Sequence, residues 1–386
     1  MKKLIFSISL IFCAACAGIL LDNCTGSAQA APEEPALRDV FKDKFLIGSS
    51  VNARQVAGLD PSADSIVRKH FNTLVAENVM KSESLNPSQG VYDWAQADSF
   101  VAYADSLGMN VVGHCLVWHS QLAPWFPLDA EGKYVSADTL KARMRTYITD
   151  VMTRYKGKVD GWDVVNEAIL EDGSYRKSPF YEILGEEYIP YAFQLAHEAD
   201  PNAALYINDY GMNNPAKRDK YVQIVNDLKK RGLRIDAIGM QGHMGMDYPD
   251  FDEFEQSIVA FAGTGCNVMI TEWEMSALPT VHHSANIADT VAFKASLNPY
   301  PDSLPADVDS IWNDRMERFM DIILEHSDAV SRVNFWGISD GDSWKNNWPM
   351  PGRKEYPLAF GRDYKMKPFM KNVVKKLTSP SNKKDE

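Results

Sequence analysis

The stretch VDGWDVVNE, residues 159–167, decides the fold. Its apolar residues run almost without interruption, and it ends on an amide and a carboxylate, Asn166 and Glu167. A strand with one solvated face would alternate apolar and polar side chains. A short continuous apolar run is instead the mark of a strand buried on both faces, as in a parallel sheet covered by helices. The polar end is then either an ordinary turn or the working end of something larger.

Seven further runs of the same kind surround it. They are FLIGSSVN from Phe45, NTLVAEN from Asn72, NVVGHCLVW from Asn110, ALYIND from Ala204, IDAIGMQGH from Ile235, NVMITEWE from Asn267 and RVNFWGISD from Arg332. Helical patterns lie between them. Leu140, Met144, Ile148, Val151, Met152 and Tyr155 recur at spacings of three and four, with Gly157 where the helix should stop. Similar patterns are SADSIVRKHF, FYEILGEEYIPYAFQLAHEAD, KRDKYVQIVNDLKKRG and DRMERFMDIILEHS. Eight strands alternating with helices point to parallel βαβ units, and eight is the number that closes a barrel. The expected fold is α/β, a single-domain (β/α)8 TIM barrel spanning residues 31–378, with a polar tail at 379–386. No Gly/Ser- or Pro-rich linker divides it, and no repeat of solenoid length is present. The longest irregular stretch, residues 275–309, follows the seventh strand; its role is not legible in the sequence.

Composition fits this picture. Of 386 residues, 45% are hydrophobic and 24% charged, which suits a globular chain with a large core rather than a disordered or membrane protein. The formal charge of −12 argues against nucleic acid as a partner, since phosphate binding needs clustered Lys and Arg. At the N-terminus, Lys2 and Lys3 precede an apolar run, and Ala28–Gln29–Ala30 offers a small-x-small cleavage site. Residues 1–30 are therefore read as a signal peptide and the protein as exported, whether secreted, periplasmic or held at the envelope. An uncleaved anchor or lipidation at Cys16 are the alternatives. Three of the five cysteines lie in this leader. The remaining two, Cys115 and Cys266, show neither disulfide nor metal spacing and read as buried thiols.

The ends of the runs carry the functional signal. They close on Glu77–Asn78, His114 with Trp118–His119, Asn166–Glu167, Asn208–Asp209, Gln241 with His243, Glu272 with Glu274, and Trp336. In a parallel barrel the C-terminal ends of the strands form the active-site face. One polar strand end is a satisfied turn; this many on one face make a site. No Gly-rich phosphate cradle, Ser–His–Asp signature or metal cluster appears, so no cofactor and no metal are expected. What remains is carboxylates, amides and tryptophans. Amides and carboxylates bind sugar hydroxyls, aromatic faces cover the apolar faces of sugar rings, and paired carboxylates cleave glycosidic bonds. Glu167 and Glu272 end the fourth and seventh strands, nearly opposite each other in an eight-stranded barrel.

At this point the chain resembles the glycoside hydrolase family 10 endo-1,4-β-xylanases over essentially its whole length after the leader. The matching stretches are ENVMKSESLNPSQGVYDW (77–94), GHCLVWHSQLAPW (113–125), GWDVVNEAI (161–169), YINDYG (206–211), GMQGHM (239–244), VMITEWEM (268–275), FWGISDGDSW (335–344) and NNWPMPGRKEYPLAFGRDYKMKPF (346–369). The resemblance implies a retaining enzyme acting on xylan and xylo-oligosaccharides, with Glu167 as acid/base and Glu272 as nucleophile. Asn166 would bond the 2-hydroxyl of the sugar attacked. His243 would hold Glu272, with Glu274 behind it and Gln241 close by. Glu77, Asn78, Lys81, His114, Trp118 and Gln121 would bind the non-reducing units, with Trp336 and Trp344 closing over them. Tyr210 would be an aromatic platform on the aglycone side. Asn208 would be a strand-end ligand and His119 and Asp163 supports; for these three a purely structural role is an equal expectation. The nucleophile has to be ionised, held by donors such as His243 and Asn166. A monomer is expected.

Three positions depart from the family pattern. Ser82 stands where Trp is usual, which predicts looser packing beside the glycone pocket. Glu274 replaces the usual Asp, so its contact with His243 must adjust, and Gly211 replaces Asn. Two rival readings stay open: a retaining glycanase acting on β-1,4-glucan, and a non-catalytic carbohydrate-binding barrel. The second predicts loss of a catalytic carboxylate, and both are present.

Overall fold

The structure, a computed structural model, describes residues 34–279 and 297–379. Residues 1–33, which include the expected leader, residues 380–386 of the tail and residues 280–296 of the long loop lie outside the described residues.

Eight strands form the expected parallel barrel. They are β1 (Leu46–Val51), β2 (Thr73–Ala76), β3 (Asn110–Gly113), β4 (Gly161–Asn166), β5 (Ala204–Asp209), β6 (Ala237–Met240, continuing after a break as His243–Gly245), β7 (Asn267–Ser276) and β8 (Val330–Phe335). Each pairs in parallel with the next through β6, and β8 pairs with both β1 and β7. Pairing of Ala237–Met240 with Asn267–Ile270 closes the ring. Every residue of β4 is buried, as its continuous apolar character requires.

Inside the barrel, Val75, Val112, Tyr206, Ala237, Met269 and Trp336 form one apolar cluster. The larger core lies between the barrel and its helices. Gly161 is required by this packing, because a Cβ there would overlap the Tyr206 ring from the adjacent strand. Between β3 and β4, the helix Ala137–Arg154 starts at Ser136, whose hydroxyl accepts from the Thr139 amide. It buries Leu140, Met144, Ile148, Val151 and Met152 and is followed by Gly157 at φ +72°.

One helical pattern resolves into two helices. Residues 179–199 form Pro179–Leu184 and Tyr188–Ala199, separated by a 3-10 turn at Gly185–Glu187. Gly185 adopts φ +62°, which ends the first helix, while Pro190 falls in the first turn of the second, where no amide donor is missed. Helices at Pro61–His70, Ala95–Ser106, Pro215–Lys230, Phe251–Ala262, Ala306–Glu325 and Pro368–Thr378 complete the βα alternation.

Both strands that carry the paired glutamates to the mouth are irregular close to them. The β4–β5 register slips between Asp163 and Val165, and the β7–β8 register between Ile270 and Trp273. Such irregularities re-aim side chains at a sheet's end. After the first slip, Asn166 stands opposite Asn208.

Candidate active site

Glu272 is set in a closed seat. Only 5% of the residue is exposed, and both carboxylate oxygens are engaged. Oε1 accepts from Asn208 Nδ2 at 3.0 Å, and Oε2 lies 3.2 Å from His243 Nε2. Burial alone would push its proton affinity up. The His243 bond and the nearby His114, His243 and Lys81 outweigh it, and the Glu272 carboxyl ends below its ordinary value. Asn208 is itself aimed: it is fully buried, and its Oδ1 accepts from Thr271 Oγ1 at 2.7 Å. Gly239 on β6 makes room for it, since an added Cβ would overlap the Asn208 carboxamide.

The donors to Glu272 differ in one respect from the sequence reading. Asn166 does not donate to it; Asn208 does. Cross-strand register sets the two amides side by side, and Asn166 Oδ1 accepts from both Asn208 Nδ2 (3.1 Å) and Gln241 Nε2 (3.2 Å). Asn208, read as a strand-end ligand or a structural group, has the buried supporting position.

Glu167 sits differently. Its side chain is 14% exposed, its backbone has φ +57°, and Gln241 Nε2 donates to its Oε1 at 3.3 Å. A non-glycine residue in the left-handed region costs roughly 1–2 kcal/mol and marks a functional position when the surroundings enforce it. Here the Glu167 amide donates to the Asn208 carbonyl at 2.9 Å, and Arg176 Nε donates to the Glu167 carbonyl at 2.9 Å. His119 Nε2 lies 3.9 Å from Glu167 Oε2. Gln241, Asn166 and Asn208 thus make a chain of amides joining the two carboxylates.

Behind His243 stands Glu274, fully buried. Its Oε1 meets His243 Nδ1 at 2.7 Å, Trp344 Nε1 at 3.0 Å and Lys345 Nζ at 3.2 Å. The extra methylene relative to Asp therefore keeps the histidine contact. Burial disfavours the charged imidazole, but the two carboxylates dominate and hold His243 up at about 9.

A polar cluster occupies the mouth beside β2 and β3. Lys81 Nζ donates to Asn78 Oδ1 at 2.9 Å and Gln121 Oε1 at 2.7 Å, and lies 4.9 Å from the Trp118 ring centroid. Burial pushes the Glu77 carboxyl up, with Lys81 opposing it. His114, its ring 5.4 Å from that of Trp336, is bonded through Nδ1 to Asp163 Oδ2 at 2.8 Å. Ser82 is buried, and so is Tyr147 of the helix behind it; among the described residues neither hydroxyl has a hydrogen-bond partner.

On the opposite side, Tyr210 accepts from the Arg176 guanidinium at 2.7 Å, and Lys217 Nζ lies 4.0 Å from its ring centroid. Lys217 is fully buried and paired with Asp209 at 2.9 Å. Burial lifts Asp209 to about 6 despite that pair. Arg176, Lys217, Lys345 and Thr271 were absent from the sequence reading. Arg176 and Lys345 lie in βα loops, where no periodicity marks them, and Lys217 is a buried lysine in the first turn of the helix Pro215–Lys230, in a charged run that reads as an exposed face. Cys115 and Cys266 are free and buried.

All the strand-end residues named from the sequence thus meet at one mouth, in an arrangement able to hold one carboxylate ionised beside another that can exchange a proton. Comparison with known proteins gives the same direction. Residues 36–376 match the family model described as glycosyl hydrolase family 10. Endo-1,4-beta-xylanase A of Xylanibacter ruminicola is 43% identical over 362 residues, covering 93% of this chain and 97% of that protein. A solved GH10 endoxylanase from a sugarcane soil metagenome superposes with a TM-score of 0.82 at 37% identity, covering 89% of this chain and 100% of the other. An intracellular xylanase of Thermoanaerobacterium saccharolyticum JW/SL-YS485, solved as a mutant with xylotriose, gives a TM-score of 0.76 at 34% identity, covering 89% and 99%.

Proposed function

The chain belongs to glycosyl hydrolase family 10, and from that premise we propose that it is a retaining endo-1,4-β-xylanase in which Glu272 is the nucleophile and Glu167 the acid/base. The observation that carries this is the contrast between the two carboxylates: Glu272 buried with a partner on each oxygen, Glu167 within reach of solvent and joined to it by a relay of amides.

A xylan chain lies across the mouth. Trp336 and Trp344 flank the sugar on the non-reducing side of the cleaved bond, and Glu77, Asn78, Lys81, His114 and Gln121 bind its hydroxyls. Tyr210 carries the sugar on the reducing side. Glu272 attacks the anomeric carbon while Glu167 gives its proton to the departing glycosidic oxygen, leaving a glycosyl ester on Glu272. The carboxylate charge of Glu272 is gone in this intermediate, so Glu167 is the better base for the second step. It takes a proton from water, which attacks the anomeric carbon and releases Glu272 with net retention. The Asn166 amide nitrogen donates to the 2-hydroxyl, a bond that strengthens as the ring becomes oxocarbenium-like. His243, held charged between two carboxylates, keeps Glu272 aimed.

The substrate is tested by release of reducing ends from xylan and from carboxymethylcellulose. Xylan cleavage is expected, and glucan cleavage without xylan cleavage would sink the assignment. The leader supports export as part of the proposal. An N-terminus at or near Ala31 in the exported protein is expected, and an intact Met1 there would contradict it.

A further inference from the structure

One buried charge has no task in this scheme. Lys345 lies in a 3-10 turn, Trp344–Asn346, on the loop after β8, and is 4% exposed. Its Nζ is 3.2 Å from Glu274 Oε1 and donates to Ser276 Oγ at 2.8 Å. Taking an ammonium out of water costs several kcal/mol, and a well-packed apolar side chain of similar length avoids that cost. The charge, rather than the bulk, therefore needs a reason.

The geometry forms a line. Lys345 Nζ meets Glu274 Oε1, which meets His243 Nδ1, whose Nε2 meets Glu272 Oε2. With His243 protonated, the line holds two cations and two anions and is neutral. Glu274 Oε2 is buried with no partner among the described residues, and Oε1 connects both cations. Without Lys345 the line would carry one uncompensated negative charge where water screens poorly. Uptake of a proton by a carboxylate relieves such a charge.

We propose that Lys345 is a positioning residue for the nucleophile: acting through Glu274 and His243, it keeps Glu272 ionised and aimed. This rests on the reading of Glu272 as nucleophile. The other groups in the field are Lys81, His114 and Asp163 around Glu272, Glu77 facing Glu274, and Glu355 facing Lys345. None of them bonds to Glu274; of these groups Glu355 also loses a neighbouring cation in the neutral variants, and Arg353, paired with it at 3.0 Å, remains.

The test uses the full chain and kcat/KM on an aryl β-xylobioside across pH, for wild type, Lys345→Met, Lys345→Gln and Lys345→Arg. Removing a nearby cation favours protonation of the carboxylate, so the acidic limb should move to higher pH. The expected shift is about one pH unit in Lys345→Met and Lys345→Gln, a loss of about tenfold on that limb and far less on the plateau. Lys345→Arg should keep the wild-type limb. A limb that stays in place in whichever neutral variant folds, or that moves equally in Lys345→Arg, overturns the proposal. Glu272→Ala measured alongside separates the failures. Turnover in that variant removes the nucleophile assignment and the proposal with it. An inert Glu272→Ala beside an unmoved limb removes the proposal alone.

Discussion

The seats of the two glutamates are built on opposite principles. Glu272 projects from within a long strand, β7, and every oxygen it has is met by a donor that is itself held in place. Glu167 follows the last residue of β4 in a left-handed backbone conformation, with one amide donor at 3.3 Å and a histidine at 3.9 Å. A group that must stay ionised and still gains from preorganised donors. A group that releases and recovers a proton in each cycle must keep access to solvent and must not be locked into one charge state. The same barrel supplies both, because one side chain sits inside the sheet and the other just past it.

Substitutions can break this contrast. The largest effect is expected from Glu272→Ala, which removes the covalent step: xylan turnover should fall by about 10⁴-fold or more. Azide should restore part of it, with inverted product. Glu167→Ala should behave unlike it. Hydrolysis of xylan should drop by roughly 10²–10⁴-fold, while an aryl glycoside with a good leaving group, which needs no proton, should still form the intermediate. Equal losses on both substrates would erase the proposed difference in role.

Smaller changes sharpen the comparison. Gly239→Ala presses a Cβ onto the Asn208 carboxamide and should displace the donor to Glu272 Oε1. A fall in kcat of about tenfold or more, with KM little changed, is expected. Thr271→Val removes only the hydroxyl that orients Asn208. It should cost about 1 kcal/mol, a few-fold in kcat. A loss in Thr271→Val exceeding that of Gly239→Ala would place the important contact elsewhere.

The ion pairs around His243 also give a stability signature. Its proton is held up to about 9, above the ordinary histidine value of 6.5. A raised pKa means stabilisation that is complete below the unfolded value and is lost as pH rises through the folded one. Thermal unfolding should therefore show wild type losing stability between about pH 6.5 and pH 9 relative to His243→Gln. Parallel curves for the two proteins would contradict it.

How much of this was legible in the sequence follows from what each feature depends on. The barrel was, because burial on both faces writes a continuous apolar run into every strand, VDGWDVVNE included. Gly185 did not register as a break, since one glycine inside a periodic pattern is outweighed by the residues around it. The strand-end residues were visible because strand ends are fixed by the same runs. Which amide donates to Glu272 was not. That depends on a register slip in β4, and no pattern in the chain distinguishes Asn166 from Asn208. Lys345 and Arg176 were hidden for a related reason: loops bring them to the site from positions with no periodic marker. The buried surroundings of Ser82 were hidden as well, because Tyr147 behind it comes from a helix 65 residues away in the chain.

The central claim is that Glu272 becomes covalently glycosylated. Incubation with a 2-deoxy-2-fluoro-β-xylobioside bearing an activated leaving group should trap that ester. Intact-mass measurement should then show one added glycosyl unit, and peptide mapping should place it on Glu272. A label on any other residue, or inactivation without a stable adduct, would contradict the account.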